Sequence, residues 1–286
     1  MVFFPVRQIE IDPFSLTLMP MQQEHLGALH GLSVALGWPH RHADWAANLD
    51  SGTGIVAVDE AGRVHGSAMT FSYHRDLSAI GMVIAHPKLA RTALFRTLAT
   101  EALEQSTGAA FLNACQQDVS FYRDLGVRSA APVFRYEGFL PCGFSLARNV
   151  RPFRPQDRPR LHQLDQSGYC ADRSRLVATL LEQSETYVIE TCGHVTGFAM
   201  RRRFGRGHVI GPVIAANETD ALSLTTSLMA GLAGQFLRLD TRQTEGSFVG
   251  FLAALGFRAR PDVTTMTTTN LTFSPEIYAI SGHSTG

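Results

Sequence analysis

The strongest constraint on this chain is an internal repeat, because one short apolar segment occurs twice. Ile80-Gly81-Met82-Val83-Ile84-Ala85 and Ile210-Gly211-Pro212-Val213-Ile214-Ala215 differ at one position. The pattern Gly-x-Ala-Met precedes both segments, and the pattern Phe-x-x-x-Leu-Gly comes after both. Three matched blocks in one register, separated by about 130 residues, predict two copies of a single structural unit.

The boundary between the copies is predicted near Arg151-Pro152-Phe153-Arg154-Pro155, where prolines and arginines interrupt the apolar pattern. This gives a first domain over residues 1–150 and a second domain over residues 151–286. Each length agrees with the usual expectation of about 150 residues per domain.

The first copy of the repeated segment ends at His86-Pro87, as expected for a buried strand, because proline cannot donate a hydrogen bond to a sheet. Leu94 and Leu98 then recur at helical spacing, which predicts an amphipathic helix. A strand, a tight turn and a helix together point backbone N–H groups and a positive dipole end at an anion.

Apolar periodicity extends this reading to the rest of the first copy, and the second copy repeats most of it. The predicted order is a strand, two helices, three antiparallel strands, a helix, a strand, a helix and a last strand. The fold class is therefore α/β with a mixed sheet in each of two tandem domains. The predicted strands are Leu16–Met19, Ile55–Val58, Arg63–Tyr73, Leu77–Ala85, Ala109–Cys115 and Ala131–Tyr136, and the helices are Gln22–Ala35, Ala43–Leu49, Ala90–Gln105 and Val119–Leu125.

Composition limits the partners of the chain. The formal net charge is zero, so the basic face that nucleic acid requires is not expected. No apolar run approaches the roughly 20 residues that span a bilayer, and the N-terminus does not resemble a signal peptide. The four cysteines contain no CxxC pair, so neither a metal site nor a disulfide framework is predicted. We expect a cytoplasmic protein that binds neither nucleic acid nor a membrane.

The order of elements resembles the GNAT N-acetyltransferase superfamily, as do the segments "LGWP", "IGMVIAHP", "FLNA" and "FYRDLG". The likeness is closer to a bacterial subgroup in which a GNAT domain precedes a second, degenerate GNAT-like domain, and it covers nearly the whole chain. It implies an acyltransferase that moves an acyl group from a thioester to the amine of a small molecule. The first domain would catalyse the transfer, and the second would shape the acceptor pocket.

The resemblance also implies where the donor binds. The strand at Val83–Ala85 would hold the pantetheine arm, and one of its N–H groups would polarise the thioester carbonyl. The next loop would cradle the CoA pyrophosphate, but Ala93 and Phe95 replace glycines of the family pattern, and glycine is what allows close approach to the backbone. The expected donor-binding residues are Val83, Ile84, Ala85, Arg91, Thr92, Ala93, Leu94, Phe95, Arg96 and Asn113.

Three alternatives for the donor follow from this altered loop. In the first, acetyl-CoA or another acyl-CoA binds, with Arg91 or Arg96 replacing some N–H contacts by charge. In the second, the donor is the phosphopantetheine arm of an acyl carrier protein, which lacks the CoA nucleotide. In the third, the fold serves as a binding module or performs a different reaction.

Tyr122 is the expected general acid, because the resemblance implies that a tyrosine at this helix protonates the departing thiolate. The alternative is a tyrosine that only packs against the sheet. The second copy has Leu252 at the matching place, and leucine cannot donate a proton.

The general base is not defined by the sequence. His74, on a hairpin between two predicted central strands, is a catalytic candidate, and the alternative for each histidine is an ordinary loop residue. Trp38, His40 and His42 lie where the resemblance implies acceptor binding. Asp240 in the second copy is a candidate for holding a cationic acceptor.

Overall fold

The computed structural model describes residues 6–11, 14–74, 76–89 and 93–286, excluding the side chains of Phe14 and Asp262. The chain divides into two compact units. The first contains the described residues up to Leu112 together with Thr285, and the second contains Asn113–Ser284 together with Gly286. This division reflects spatial contacts, whereas the boundary between residues 150 and 151 follows from the repeat and stays a prediction.

The first unit is built on a sheet in which β1 to β5 pair in chain order, each antiparallel to the one before it. The sixth strand, β6, pairs with β5 in parallel. The strands are β1 (Arg7–Ile11), β2 (Phe14–Pro20), β3 (Thr53–Asp59), β4 (Val64–Tyr73), β5 (Leu77–Ala85) and β6 (Ala109–Cys115), and the helices are α1 (Leu26–Ala35), α2 (His42–Ser51) and α3 (Ala93–Glu104).

Helix α3 connects the two parallel strands and packs on β4 and β5. Its buried stripe includes Leu94, Leu98 and Ala102, as the helical spacing in the sequence predicts. Close packing requires Gly66 on β4, because a Cβ atom there would lie 2.7 Å from the carbonyl oxygen of Ile84 and 2.8 Å from a Leu98 methyl carbon.

The second unit has a sheet with the order β13-β7-β12-β11-β10-β9-β8, and β14 lies beside β11. Its strands are β7 (Arg128–Phe139), β8 (Val150–Pro152), β9 (Glu185–Thr191), β10 (His194–Phe204), β11 (Gly207–Ala215), β12 (Phe236–Thr241), β13 (Arg258–Thr267) and β14 (Ile277–Ala279). Its helices are α4 (Val119–Asp124), α5 (Arg158–Tyr169), α6 (Ser174–Gln183), α7 (Glu218–Met229) and α8 (Ser247–Ala254).

Strand β7 comes from the first sequence copy but lies between two strands of the second copy. It pairs antiparallel with β12, where Arg135 stands opposite Asp240, and antiparallel with β13, where Arg135 stands opposite Arg260. Both sets of ladder hydrogen bonds belong to the second unit. This explains why the second unit begins at Asn113, before the boundary that the repeat predicts.

In both copies, a glycine allows close packing against the neighbouring strand. Gly197 on β10 corresponds to Gly66, and a Cβ atom at Gly197 would lie 2.7 Å from the carbonyl oxygen of Ile214. Helix α7 packs on β10 and β11 as α3 packs on β4 and β5. The predicted repeat of α/β architecture, with a mixed sheet and tandem organisation, is confirmed.

Most predicted elements agree with the structure, and β5 and β6 have the predicted bounds. The predicted start of α3 at residue 90 lies outside the described residues. The strands β1 and β14 have no counterpart in the prediction. None of the helices in the described part of the chain is long and apolar enough to cross a membrane.

Candidate functional site

A β-bulge lies in the second half of β5. The β4–β5 register shifts between Ser67 and Met69, so that Met82 and Val83 together stand opposite a single residue of β4. Met82 has a φ angle of 51°, which is unusual for a residue that is not glycine. The Ser67 hydroxyl donates to the Met82 carbonyl oxygen at 3.0 Å and holds the bulge. Bulges of this kind redirect the backbone next to functional sites.

The parallel pairing of β5 with β6 covers only the first part of β5. It runs from Leu77 opposite Ala109 to Ile80 opposite Leu112. Among the described pairings, residues 83–85 have β4 on one side and no strand on the other. One edge of Val83–Ala85 therefore offers backbone N–H and C=O groups to a ligand.

The first turn of α3 follows this edge in the chain. Arg91 and Thr92, two predicted pyrophosphate contacts, lie outside the described residues. Ala93 and Arg96 are exposed, Phe95 is half-buried, and Leu94 is fully buried in the core. The exposed Arg96 side chain places a positive charge near the start of this helix, whereas the Leu94 side chain packs in the core. The donor-binding roles of these residues stay predictions.

Tyr122 on α4 is almost completely buried. Burial raises the pKa of its phenol far above the ordinary value, and the nearby Asp118 and Cys115 add to the increase. The phenol therefore keeps its proton at any working pH, as a proton donor must. Leu252 lies at the matching place in α8 and is fully buried, so the second copy has no such group.

Asn113 follows Leu112, the last residue of β6 that pairs with β5. Its side-chain Nδ2 donates to the carbonyl oxygen of His283 at 2.8 Å, and its Oδ1 accepts from the Thr265 hydroxyl at 2.7 Å. Both ends of the amide are thus used within the second unit, and its predicted role in donor binding stays a prediction.

In the second copy, the matching edge of β11 is covered by another strand of the chain. Strand β11 pairs in parallel with β12 only at His208 and Val209. Strand β14 then pairs antiparallel with β11, with Ala279 opposite Val213. On its other side, the Ile280 N–H donates to the Asp240 carbonyl oxygen of β12 at 2.9 Å. Residues 277–280 therefore occupy the backbone groups that a thioester arm would need.

Gly211 shows how tightly this segment fits. A Cβ atom at Gly211 would lie 2.1 Å from the carbonyl oxygen of Ile280, a distance that no side chain tolerates. The close contact involves backbone on both sides, so it cannot be relieved by a side-chain rotation.

The helix end that would face a pyrophosphate in the second copy is also occupied. The Asn217 side chain caps α7 by accepting from the Asp220 N–H at 3.0 Å. Glu218, in the first turn, accepts from the backbone N–H groups of Ser247 at 3.1 Å and Phe248 at 3.4 Å, at the start of α8. Two acidic residues in that turn would repel a phosphate.

The predicted acceptor residues of the first copy lie close together. The rings of Trp38 and His40 are 5.4 Å apart, and His40 is 6.5 Å from the ring of Trp45. His42 is exposed at the first position of α2. The structure thus groups Trp38 and His40 in one aromatic cluster, and their binding role stays a prediction.

His74 lies at the other end of β5 from the bulge. It precedes Leu77, the first residue of β5, whereas residues 83–85 are the last. At roughly 3.3 Å per residue, these two ends are about 25 Å apart. His74 is exposed, has a φ angle of 57°, and its carbonyl oxygen accepts from the Thr107 hydroxyl. Its catalytic role stays a prediction that this position does not favour.

Asp240 is buried at the end of β12, where it contacts two cationic or titratable groups. Arg238 Nε lies 3.0 Å from both carboxylate oxygens, and His283 Nε2 lies 3.3 Å from Oδ1. The carboxylate is thus in contact with Arg238 and His283 of the chain itself, and its role in holding a cationic acceptor stays a prediction. His283 is not among the residues that the sequence predicts for the site, although the apolar run Ile277–Ile280 after Pro275 predicts a strand just before it.

Among the described residues, no group of three or more His, Cys, Asp or Glu side chains is placed to hold a metal ion. The Cys115 side chain is exposed at the end of β6.

The chain is similar in sequence to one family model and to a bacterial protein. The model of the "Acetyltransferase (GNAT) domain" family matches residues 161–278. The chain is 25% identical over 247 residues to YitH of Bacillus subtilis (strain 168), described as an uncharacterized N-acetyltransferase, with 84% of this chain and 87% of that protein covered.

Two solved structures share the fold. A putative acetyltransferase from Pyrococcus horikoshii has a TM-score of 0.78 at 14% identity, covering 95% of this chain and 96% of that chain. A tandem GNAT protein from the clavulanic acid biosynthesis pathway has a TM-score of 0.58 at 15% identity, covering 88% of this chain and 98% of that chain.

Proposed function

We propose that this chain, a tandem-domain member of the GNAT superfamily, is an acyltransferase that moves an acyl group from a thioester to the amine of a small molecule. The thioester binds in the first copy alone. The second copy serves structure and acceptor binding.

The observation that carries the proposal is the contrast between β5 and β11. In β5, the bulge at Met82 precedes the edge of Val83–Ala85 that none of the described strands covers. In β11, the matching edge is covered by β14. A pantetheine arm contains amide groups, so it can pair with a strand edge as an added strand does. A backbone N–H beside the bulge would then polarise the thioester carbonyl.

The chemistry requires three proton transfers. The acceptor ammonium first loses a proton, and the neutral amine attacks the carbonyl carbon, so that a C–N bond forms and the nitrogen becomes positively charged. The C–S bond then breaks, and the departing thiolate takes a proton from Tyr122. The nitrogen of the new amide loses its second proton, and this proton restores the Tyr122 phenol. Because burial raises the pKa of Tyr122, the phenol is protonated before each turnover.

We propose acetyl-CoA or a related acyl-CoA as the donor, because the exposed Arg96 near the start of α3 supplies positive charge for a nucleotide phosphate. The half-buried Phe95 supports a second candidate, the phosphopantetheine arm of an acyl carrier protein. A bulky ring where the family pattern has glycine restricts access to the backbone.

Calorimetric titration separates these donors. The protein is titrated with CoA, acetyl-CoA and pantetheine, and thiol release from acetyl-CoA is followed with a panel of primary amines. Micromolar CoA binding with much weaker pantetheine binding supports an acyl-CoA donor. Equal weak binding of both supports a carrier-protein thioester. No binding of any of them rejects acyl transfer, and the fold would then serve another role.

A further inference from the structure

The Arg242 side chain, which directly follows β12, ends in two buried nitrogen atoms that form no hydrogen bond. Nη1 and Nη2 are shielded from solvent, and neither has a hydrogen-bond partner among the described residues. A buried guanidinium without partners loses the hydration of its charge, and this cost is normally offset by an anion. The proposed acyl transfer does not use Arg242, so the anion that offsets its charge must have another origin.

No Asp or Glu in the described part of the chain forms an ion pair with Arg242. The buried carboxylate in this part of the second unit, Asp165, accepts from Arg173 with both of its oxygens at 3.0 Å. Burial lowers the pKa of Arg242 below its ordinary value, and the charge of Arg173 adds to the decrease. The cluster of Asp165, Arg173 and Arg242 therefore has one positive charge in excess.

A chain of hydrogen bonds holds the Arg242 guanidinium on one side. Its Nε donates to the Thr265 hydroxyl at 3.1 Å, and that hydroxyl donates to Asn113 Oδ1 at 2.7 Å. The Thr265 proton is used in the bond to Asn113, so Thr265 can only accept from Arg242. With Nε bonded in this way, Nη1 and Nη2 remain as a pair of donors, which matches the two oxygens of a carboxylate.

Two aromatic side chains lie at the same end of Arg242. The guanidinium carbon is 4.2 Å from the centre of the Phe273 ring, and that ring is 5.5 Å from the Tyr169 ring. The Tyr169 hydroxyl is close enough to act on the pKa of Arg242, yet it is also buried without a well-aligned hydrogen-bond partner among the described groups. Buried donors of two side chains, both without an acceptor, thus lie close together.

These donors lie close below the surface of the second unit. Arg242 and Phe273 each keep part of their surface exposed, although the terminal nitrogens of Arg242 are covered. The backbone after Phe273 is anchored, because the Ser274 N–H donates to the Gly168 carbonyl oxygen at 3.1 Å. We therefore expect a small ligand to enter by displacing the Phe273 ring while this backbone stays in place.

We propose that Arg242 and Tyr169 form a binding site for a small carboxylate monoanion in the second unit. Nη1 and Nη2 donate to the two carboxylate oxygens, and the Tyr169 hydroxyl donates a third hydrogen bond. One negative charge balances the excess positive charge of the cluster, whereas a phosphate dianion would leave an excess negative charge near Asp165. This site goes beyond the proposed acyl transfer and does not depend on it.

Nitrogen-15 NMR of arginine-labelled protein tests the site without any thioester. The protein is titrated with sodium acetate and, in parallel, with sodium phosphate and sodium chloride. The Arg242 Nε–H signal, assigned by its absence in Arg242→Lys, should shift with acetate and reach saturation. Tyr169→Phe should weaken acetate binding about tenfold, because it removes one hydrogen bond to a charged group.

Thermal unfolding gives a second measurement with a matched control. Acetate should raise the unfolding midpoint of the wild-type protein but not that of Arg242→Gln, which lacks the guanidinium. The control is Arg203→Gln, because Arg203 is an exposed arginine of β10, and its midpoint should rise as in the wild type. Without acetate, Arg242→Gln should be at least as stable as the wild type, since it removes an uncompensated buried charge.

Saturable acetate binding that requires both Arg242 and Tyr169 supports the site. The proposal is overturned if the Arg242 signal does not saturate, if it shifts no more than the signals of exposed arginines, or if Tyr169→Phe leaves the dissociation constant unchanged. Tighter binding of phosphate than of acetate rejects the carboxylate as the ligand. Equal binding of chloride rejects it too, because a single ion does not need the paired donors.

Discussion

The Tyr122 side chain is the residue on which the assignment of catalysis to the first copy depends most. Its hydroxyl is buried, its pKa is raised, and the second copy has leucine in its place. The raised pKa keeps the Tyr122 phenol protonated, so a proton is present when a thiolate forms.

Replacing Tyr122 by Phe should therefore lower kcat by at least about 10²-fold and leave the dissociation constant for CoA unchanged. The raised pKa also predicts that wild-type activity does not fall through Tyr122 ionisation below about pH 10, the ordinary pKa of a phenol. Tyr136→Phe is the matched control, since Tyr136 is a buried tyrosine of β7. Steady-state kinetics and calorimetry check both statements, and unchanged turnover in Tyr122→Phe would identify a packing residue.

A substitution at Gly211 tests the contact between β11 and residues 277–280, which cover its edge. In Gly211→Ala, the new methyl group would collide with the Ile280 backbone, so β14 must move. We expect a loss of about 1–3 kcal/mol in the free energy of unfolding, as for other overpacked sites. Urea denaturation measures it.

The control for that experiment is Gly250→Ala. Gly250 lies inside α8, and a Cβ atom there would meet nothing within 4 Å, so alanine should stabilise the helix by about 0.5–1 kcal/mol. If both variants were stabilised, residues 277–280 would not be packed against Gly211 as described.

At the scale of elements, an ion pair joins α5 to the start of α6. The Arg173 guanidinium donates twice to the Asp165 carboxylate at 3.0 Å, and both side chains are at most 1% exposed. Arg173 also stacks on the Tyr169 ring at 3.3 Å. The charge of the buried arginine is thus compensated by the Asp165 carboxylate.

Asp165→Ala should reduce the free energy of unfolding by about 3–5 kcal/mol, because it removes the carboxylate that compensates a buried charge. The double variant with Asp165→Leu and Arg173→Met removes both charges and should recover most of that loss. Thermal and urea unfolding measure both variants. A loss below about 1 kcal/mol for Asp165→Ala, as for a surface pair, would show that solvent reaches Arg173.

The sequence predicts β5 and β6 well because their buried apolar runs are local signals. It could not predict that β7 pairs with β12 and β13, since partner choice between two similar copies is set by long-range packing. The bulge at Met82 was also invisible, because it depends on the register between two strands. The Asp240–His283 pair joins residues far apart in the chain, and spacing alone does not reveal such a contact.

Across the whole chain, the two copies of the repeat differ in the strand edge and helix start that they offer to a thioester. Both have a helix packed on the strand that contains the repeated segment. In the second copy, β14 covers the strand edge and Asn217 caps the helix start beside acidic neighbours. We therefore predict one thioester site per chain, in the first copy.

Hydrogen–deuterium exchange with and without acetyl-CoA tests this claim most directly. Binding at the strand edge should slow amide exchange in residues 81–85, because the ligand supplies hydrogen-bond partners there. Residues 211–215 should exchange at the same rate in both samples. Slower exchange at residues 211–215, or no change at residues 81–85 despite measured binding, would contradict a single thioester site in the first copy.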